Sequence, residues 1–465
     1  MHSRPLRASQ LPTFIPLHVR RRFACAYCAA STATATATAT DTYAPRSSTA
    51  YYHAPRRRQQ STWTATLSAA QNLLSNATPD HGFPGGRAVD PLRLVAKEMK
   101  FLTKNIRQLL GSGHPVLDTV AKYYTQSEGK HIRPLLVLLM SQATALTPKL
   151  PPSSAPPNPM IVNESISPPE VLSDFNPSSP FSNPLTASAA DGSDGVEASD
   201  ILPSQRRLAE ITELIHTASL LHDDVIDHSL ARRSSPSANI AFGNKMAVLA
   251  GDFLLGRASV ALARLRDAQV IELLATVIAN LVEGEFMQLK NTALDETHPV
   301  WKDETISYYL QKTYLKSASL ISKSCRASAL LGRSSPDVVD AAYAYGKNLG
   351  LAFQLVDDML DYTISGDELG KPAGADLELG LATAPLLFAW KDQPELGALV
   401  GRKFSESGDV ARARELVKRS AGIDQTRALA QEYADKAVQA IADFPDSEAK
   451  AGLVEMCVKT MKRRK

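Results

Sequence analysis

The sequence predicts an all-α protein: a single helical-bundle domain with a central active-site cavity between facing helices. Three observations predict this fold class. Apolar residues recur at spacings of three and four over most of the chain beyond residue 90. No stretch keeps the two-residue alternation of a half-buried strand. Two Asp-rich segments lie inside this apolar helical sequence, where a central site can use their charge.

The first predicted helix begins at Asp90-Pro91, because an Asp can cap a helix and Pro suits its first position. Apolar residues then recur at helical spacing until Gly111. The same periodicity predicts further helices at about Pro134 to Leu146, Gln205 to Asp227, Lys245 to Arg264, Ala268 to Asn291, Asp303 to Leu331, Ser335 to Asp361 and Ala382 to Lys391.

The N-terminal region has the composition of an organellar transit peptide. The first 40 residues contain five Arg and no Asp or Glu, followed by an Ala-Thr repeat from Ser31 to Thr40. We expect residues 1–58 to be a transit peptide and disordered leader, 59–89 a linker and 90–465 the folded domain. A basic disordered tail is the alternative for the leader.

Residues 148–203 are predicted to be a disordered insertion in the folded domain. They hold twelve of the chain's 29 prolines, with many Ser and Asn. Such a segment cannot bury enough apolar surface to offset the entropy lost on ordering. A docking segment is the alternative, because long loops inside compact folds are uncommon.

Charge and composition exclude several classes of function. The formal net charge of +3 is too small to indicate a nucleic-acid partner, and no run of about eighteen apolar residues predicts a transmembrane helix. Cys325 and Cys457 are isolated, which argues against a disulfide framework. Cys25 and Cys28 form one C-x-x-C without a second pair, so a zinc site is not predicted.

Two copies of the pattern D-D-x-x-D carry the strongest functional signal. They consist of Asp223, Asp224 and Asp227, and of Asp357, Asp358 and Asp361. On a helix the first and fifth positions of each copy share a face, so each copy can direct two carboxylates to one point. One copy alone would more often be a solvated acidic turn, but two in apolar surroundings favour a metal site. Magnesium is expected, because it is usually held by a few carboxylates together with substrate phosphates.

Short motifs with basic residues accompany the two Asp motifs in a fixed order. They are Gly129–Pro134 (GKHIRP), Arg232-Arg233 after the first Asp motif, Lys312-Thr313, Phe353-Gln354 before the second Asp motif, and Gly370-Lys371 after it. This ordered set resembles that of the trans-polyprenyl diphosphate synthases, from about Asp90 to the C-terminus apart from the insertion. The resemblance implies that residues 90–465 are a polyprenyl synthase domain, a helical bundle of the isoprenoid synthase type.

The resemblance implies a role for each matching residue. The six Asp residues would hold up to three magnesium ions around the diphosphate of an allylic substrate such as farnesyl diphosphate. The residues that would bind the allylic diphosphate are Arg232, Lys312, Thr313, Gln354 and Lys371. Those that would bind isopentenyl diphosphate are Lys130, Arg133, His216 and Arg233. No side chain is named as general base, since the departing diphosphate usually serves in this family.

Structural alternatives stay open for two basic residues, because Lys371 could only cap a helix and His216 could be a core histidine. Three positions depart from the family's common pattern: Ser234 and Leu381 stand where many members have Gly and Lys, and Glu128 replaces a Gly. These departures concern diphosphate contacts more than the activity.

Ala218 and Ser219 bear on product length. The family's growing chain would run beside the first-motif helix, where residues four and five before Asp223 lie roughly 6–7 Å deeper. Farnesyl-length members often carry a bulky aromatic there, whereas two small residues leave the tunnel open. We therefore expect a product beyond about twenty carbons, of roughly six to ten isoprene units.

An organellar leader on a long-chain synthase indicates mitochondria, in the matrix or on the matrix side of the inner membrane, and the ubiquinone side chain. The alternatives are a geranylgeranyl-type short-chain synthase, a non-catalytic subunit of a heteromeric synthase, a terpene cyclase and a helical scaffold. The resemblance implies a homodimer or a heteromer with a related subunit. An insoluble product is also compatible with peripheral membrane contact.

Overall fold

Helices form nearly all of the regular structure in the described part of the chain, which confirms the predicted fold class. The computed structural model describes residues 89–463 without 110–111, 113, 127–130, 152–199, 233–234, 293–298, 303 and 364–373. Within these residues the only paired strands are β1 (Ala231–Arg232) and β2 (Ser235–Pro236), which form a small antiparallel hairpin with Arg232 opposite Ser235.

The helices of the described residues are numbered here in chain order. In order they are α1 (Pro91–Leu94), α2 (Ala96–Leu109), α3 (Pro115–Gln126), α4 (Ile132–Ala145), α5 (Pro203–Ile226), α6 (Ala238–Phe242), α7 (Asn244–Arg264), α8 (Ala268–Thr292), α9 (Glu304–Thr313), the π-helical turn Tyr314–Ala318, α10 (Ser319–Leu331), α11 (Pro336–Thr363), α12 (Ala375–Glu378), α13 (Ala384–Asp392), α14 (Glu395–Gly401), α15 (Asp409–Arg419), α16 (Gly422–Ala440) and α17 (Glu448–Met461).

The first predicted helix starts as expected but is not continuous. The Asp90 carboxylate accepts a hydrogen bond from the Leu92 N–H, and Pro91 occupies the first helical turn. At Val95 the backbone leaves the helical region, with φ −114° and ψ 22°. The Val95 side chain is buried at that point, so the break turns an apolar residue into the core.

The predicted helix from Asp303 to Leu331 is also interrupted. Tyr314–Ala318 forms a π-helical turn between α9 and α10. Such turns are uncommon and occur mostly as single insertions at functional sites. Apolar periodicity gives no sign of this turn, because its neighbours in space determine it.

Several helices are absent from the sequence-based expectation, namely α3, α6, α12 and α14 to α17. Helix α15 shows the reason: it is strongly polar, and among its residues only Asp409, Ala413, Leu416 and Val417 are buried. A helix that covers an existing core needs few apolar residues, so its period is hard to detect.

Two apolar clusters hold the bundle together. The larger includes nearly the whole circumference of α4, with Leu136 and Leu139 fully buried, and it continues through Ile215 of α5 and Leu254 of α7. The smaller joins α9, α11 and α13 around Tyr309, Leu355 and Trp390. Both Asp motifs lie near the C-terminal ends of their helices, α5 and α11, beyond the well-packed middle of each.

Helix α7, with 21 residues, is long and apolar enough to cross a membrane by length and composition alone. One side of it, including Ala247, Leu254 and Ala258, packs into the larger apolar cluster. We therefore describe it as a core helix of this bundle.

The predicted leader, the linker and most of the insertion lie outside the described residues. Cys25 and Cys28 lie there too, whereas Cys325 and Cys457 are buried free thiols. The described ends of the insertion are anchored in the bundle: Lys149 pairs through its backbone with Ser334, and Ile201 is buried.

Candidate active site

Helix α5 presents Asp223 and Asp227 on one face at its C-terminal end. The Asp227 N–H donates to the Asp223 carbonyl at 2.8 Å, so the helical turn that separates them is closed. Burial raises the pKa of Asp223 to about 6, and the charges of Glu285 and Asp227 add to this rise while Lys316 opposes it. Burial likewise raises the pKa of Asp227. The two carboxylates therefore share one site with Lys316 and Glu285.

The middle residue of this motif, Asp224, faces the protein interior. Its carboxylate is fully buried and accepts from Arg232 Nη2 at 2.6 Å, from Arg232 Nε at 2.9 Å, and from the Tyr124 hydroxyl. The same hydroxyl accepts from the Ala238 N–H at 2.8 Å. Asp224 thus fastens β1 and helix α3 to the first motif.

In the second motif, on α11, the middle residue is likewise held by protein partners. Asp358 is buried, and its carboxylate accepts from the Tyr309 hydroxyl at 2.5 Å and from Gln354 Nε2 at 2.9 Å. Burial raises the pKa of Asp358 to about 6, although these hydrogen bonds and Lys312 oppose the shift. Gln354 in turn accepts from the Ser317 hydroxyl at 2.8 Å. The middle carboxylate is held by neutral partners.

The outer residues of the second motif, Asp357 and Asp361, have polar contacts of a different kind from those of Asp358. Asp361 Oδ1 accepts from the N–H groups of Gly374 and Ala375 at the start of α12, at 3.3 and 3.2 Å. Its Oδ2 is buried and has no hydrogen-bond partner within the described residues. Asp357 Oδ1 lies 2.7 Å from Arg463 Nη1, whose guanidinium stacks 4.5 Å from the Phe353 ring.

Lys312, two residues before the π-helical turn, and Lys316, in the middle of that turn, connect the two motifs. Lys312 is buried, with its Nζ 5.4 Å from the Tyr309 ring; burial lowers its pKa, and Asp358 opposes that shift. Lys316 Nζ lies 2.5 Å from Glu285. Burial alone would lower the Lys316 pKa, but Asp223 and Glu285 outweigh it, and the pKa is raised. Lys312 therefore lies near the second Asp motif, and Lys316 near the first.

Arg133 and His216, two of the residues predicted for the isopentenyl diphosphate pocket, contact each other beside α5, and a second histidine contact lies near them. Arg133 Nη1 lies 2.8 Å from His216 Nε2, and His131 Nδ1 lies 2.9 Å from Glu213. His216 is thus paired with a cationic partner, not enclosed among apolar groups. Lys130 and Arg233, predicted for the same pocket, and Lys371, predicted for the allylic diphosphate, lie outside the described residues.

The remaining predicted residues are placed as follows. Ala218 is fully buried in the larger apolar cluster, whereas Ser219 is partly exposed and donates to the His216 carbonyl at 2.9 Å. Ser219 therefore lies on the Asp223 side of α5, one turn below it. Thr313 is buried and hydrogen-bonded to Tyr309.

Divalent metal ions fit this donor set. Each motif offers an outer carboxylate with a raised pKa, and Asp361 Oδ2 is a buried oxygen without a partner among the described residues. In the described part of the chain no three His, Cys, Asp or Glu side chains are grouped closely enough to hold a metal alone. Phosphate oxygens would complete the coordination, as is usual for magnesium.

The sequence-based prediction missed Lys316, Glu285, Tyr309 and Tyr124. Lys316 follows Lys312 by one helical turn, so helical spacing could have suggested it. Glu285 is a buried acid on α8, whereas Glu272 and Glu283 of the same helix are exposed, so the sequence alone did not single it out. The two tyrosines gave no signal, because their partners are 49 and 100 residues away in the sequence.

Comparison with known proteins identifies the family that this chain resembles. Residues 184–417 match the family described as Polyprenyl synthetase. The chain is 70% identical over 426 residues to the probable mitochondrial hexaprenyl pyrophosphate synthase of Neurospora crassa, with 90% of this chain and 92% of the relative covered. It is 49% identical over 372 residues to decaprenyl-diphosphate synthase subunit 1 of Schizosaccharomyces pombe, with 80% and 91% covered.

A solved structure shares the fold. The polyprenyl synthase of Caulobacter crescentus, crystallised with calcium and isoprenyl diphosphate, superposes with a TM-score of 0.63 at 29% identity. The alignment covers 82% of this chain and all of the bacterial one.

Proposed function

Because the chain belongs to the polyprenyl synthetase family, we propose that it is a long-chain trans-polyprenyl diphosphate synthase of mitochondria. It adds isopentenyl diphosphate units to an allylic diphosphate by head-to-tail condensation, and its product supplies the ubiquinone side chain. The observation that carries the proposal is that two lysines, one helical turn apart, each face one of the two Asp motifs. Asp223 and Asp227 face Lys316, and Asp358 faces Lys312.

The outer carboxylates, Asp223, Asp227, Asp357 and Asp361, hold the metal-bound diphosphate of the allylic substrate. Family chemistry uses a divalent metal, and we propose magnesium, up to three ions per site. When bound, the ions supply charge that offsets the charge growing on the leaving diphosphate. Asp224 and Asp358 do not bind the metal in this proposal. Their hydrogen bonds to protein partners orient helices α5 and α11.

The lysines and the polar side chains complete the diphosphate clamp. Lys312 and Lys316 place two ammonium groups at the π-helical turn, where charge accumulates as the carbon–oxygen bond breaks. Gln354, fixed between Ser317 and Asp358, can donate to the same group. Arg232 and Thr313 are placed to support other residues of the site and not to bind the diphosphate themselves. Arg232 pairs with Asp224, and Thr313 with Tyr309. Lys371 remains a proposed ligand from the sequence.

Isopentenyl diphosphate binds in the basic pocket formed by Arg133 and His216, with Lys130 and Arg233 proposed beside them. The electron pair of the breaking bond leaves with the allylic diphosphate. The double bond of isopentenyl diphosphate then forms the new carbon–carbon bond with the allylic carbon. Loss of one proton restores a double bond, and the departed diphosphate is the proposed acceptor.

The product is long because the helix below the first motif carries small side chains. Ser219 lies one turn below Asp223 on the site side, and Ala218 beside it adds no bulk. We propose a product of about six isoprene units or more, in line with the name hexaprenyl pyrophosphate synthase that the Neurospora crassa relative bears. The leader proposed at residues 1–58 would direct the chain to mitochondria.

The exposed apolar side chains of α7 and α8 suit a subunit interface. Leu249, Val282 and Phe286 are 58%, 52% and 69% exposed, respectively, which is unusual for such residues on neighbouring helices. We propose that this face binds a second copy of the chain or a related subunit, in line with the word "subunit" in the name of the S. pombe relative.

Product analysis tests the proposed function. The chain from Gln59 onward is incubated with magnesium, farnesyl diphosphate and labelled isopentenyl diphosphate, and product length is determined by chromatography. We expect products of about thirty carbons or more. A product that stops at twenty carbons would indicate the short-chain alternative, and no turnover by the folded protein would indicate a non-catalytic subunit.

A further inference from the structure

The π-helical turn that bears Lys316 is packed between two glycines. A Cβ at Gly284 of α8 would lie 2.9 Å from the Lys316 backbone nitrogen and 3.2 Å from its Cα. A Cβ at Gly350 of α11 would lie 2.7 Å from both Cα and Cβ of Ala318. Any side chain at either position would push the turn away, because close-packed interiors have no room for an extra methyl group.

The residue next to Gly284 holds the Lys316 side chain. Glu285 is only 9% exposed, and its Oε2 lies 2.5 Å from Lys316 Nζ. Its Oε1 is buried and has no hydrogen-bond partner within the described residues. One dipeptide of α8 therefore touches both the backbone and the ammonium group of the same lysine.

Lys316 has other carboxylates within electrostatic reach. Asp223 and Asp227 act on its charge in addition to Glu285. If Glu285 released it, the ammonium would pair with the first Asp motif and compete there with divalent cations. Lys312 and Arg232 are the cations that also face this region. Because both carry the same positive charge as Lys316, neither can pair with it in place of Glu285.

We infer that Gly284 and Glu285 are positioning residues: Gly284 sets the backbone of the π-helical turn, and Glu285 keeps the Lys316 ammonium off Asp223 and Asp227, available for the allylic diphosphate. The inference rests on the proposed function for the identity of that ligand. It assigns Glu285 no direct contact with metal or substrate.

A double-mutant cycle with Glu285→Gln and Lys316→Met tests the inference. The probe is inorganic diphosphate with magnesium, whose binding to the purified full chain is measured by calorimetry. Glu285→Gln alone should weaken binding roughly tenfold, in the range seen when groups that orient ligands are removed. In the Lys316→Met background the same change should have no further effect. An equal loss in both backgrounds would overturn the inference, because Glu285 would then act without Lys316.

Glycine variants test the backbone half of the inference. Gly284→Ala should raise the KM of the allylic diphosphate about tenfold and lower kcat, with the KM of isopentenyl diphosphate unchanged. Gly346→Ala is the matched steric control, because its Cβ would also lie 2.7 Å from a backbone atom, Ser322 Cα, but away from Lys316. It should lower stability without this KM change. Gly256→Ala should change neither, since no atom lies within 4 Å of its Cβ position.

Equal kinetic effects of Gly284→Ala and Gly346→Ala would overturn the positioning role of Gly284. The two proposals can fail separately. If the wild-type chain makes no prenyl product but the diphosphate-binding cycle behaves as expected, the proposed function fails and the positioning roles stand.

Discussion

The two Asp motifs have the same spacing but different supports. Asp224 of the first motif is bound by a cation, Arg232, only eight residues away, and by Tyr124. Asp358 of the second motif is bound by the neutral groups of Tyr309 and Gln354. The site is therefore asymmetric: the wall formed by the first motif holds its buried carboxylate through an ion pair. The wall formed by the second motif holds it through neutral hydrogen bonds, with the Lys312 ammonium nearby. The outer carboxylates, by contrast, face the site in both walls.

The largest effect should come from an outer carboxylate. Asp223→Asn removes a proposed metal-facing charge and should lower kcat by roughly 10²–10³-fold, the range for loss of one preorganised electrostatic group. Steady-state kinetics with farnesyl and isopentenyl diphosphates measures it. Asp424→Asn, at a side chain 82% exposed on α16, is the control and should have no effect. Full activity of Asp223→Asn would remove the first motif from the mechanism.

The middle carboxylates should differ in stability. Asp224→Asn leaves the Arg232 guanidinium without its buried partner and should cost about 3 kcal/mol in the free energy of unfolding. Asp358→Asn keeps an oxygen that can accept from Tyr309 and removes a costly buried charge, so it should cost about 1 kcal/mol. Urea unfolding measures both. Equal losses would mean that the two supports do not differ as described.

The raised pKa values predict a pH dependence for the metal-free protein. The ordinary Asp value of 3.8 rises to about 6 at both Asp223 and Asp358. The folded state therefore holds these protons more tightly than the unfolded state. The contribution of these groups to the free energy of unfolding should fall as the pH rises from about 4 to 6, and stay constant above that.

The same groups distinguish the walls. In Asp223→Asn and Asp358→Asn, the part of this pH dependence that belongs to each residue should disappear. Magnesium diphosphate binding should weaken about tenfold per pH unit below 6 for each proton displaced, and only Asp223→Asn should change that slope. Unfolding curves and calorimetry at several pH values measure these effects. An unchanged binding slope in Asp223→Asn would place its carboxylate away from the metal.

The smallest effect should come from Arg463, which pairs with Asp357 at the second wall. Both side chains are partly exposed, so the pair is worth no more than about 1 kcal/mol. Arg463→Met should remove this cationic partner from Asp357 and tighten magnesium binding by at most about fivefold. Calorimetry with magnesium and diphosphate measures it. Weaker binding in this variant would mean that Arg463 itself supports the bound diphosphate.

Much of the bundle and both motif helices followed from apolar periodicity. Helix α5 was predicted within two residues at each end, because a long, regular apolar pattern specifies such a helix. The π-helical turn could not be predicted, since it depends on Gly284 and Gly350, which approach it from other helices. Helix α15 was missed because it covers the bundle with few apolar residues.

The candidate site, like the fold, could be predicted from the sequence only in part. The spacing of D-D-x-x-D predicted that Asp223 and Asp227 share a face, because helical geometry alone requires it. Spacing could not show that Asp224 and Asp358 point to protein partners, since Tyr124 and Tyr309 are distant in sequence. The roles of these residues, and of Lys130, Arg233 and Lys371, stay predictions.

Diffraction from crystals grown with manganese and inorganic diphosphate tests the central claim most directly, because the anomalous signal locates each metal ion. The account predicts metal ions in contact with Asp223 or Asp227 on one wall and with Asp357 or Asp361 on the other, bridged by diphosphate. Asp224 should remain on Arg232, and Asp358 on Tyr309. Metal bound to Asp224 or Asp358, or at one wall only, would contradict the account.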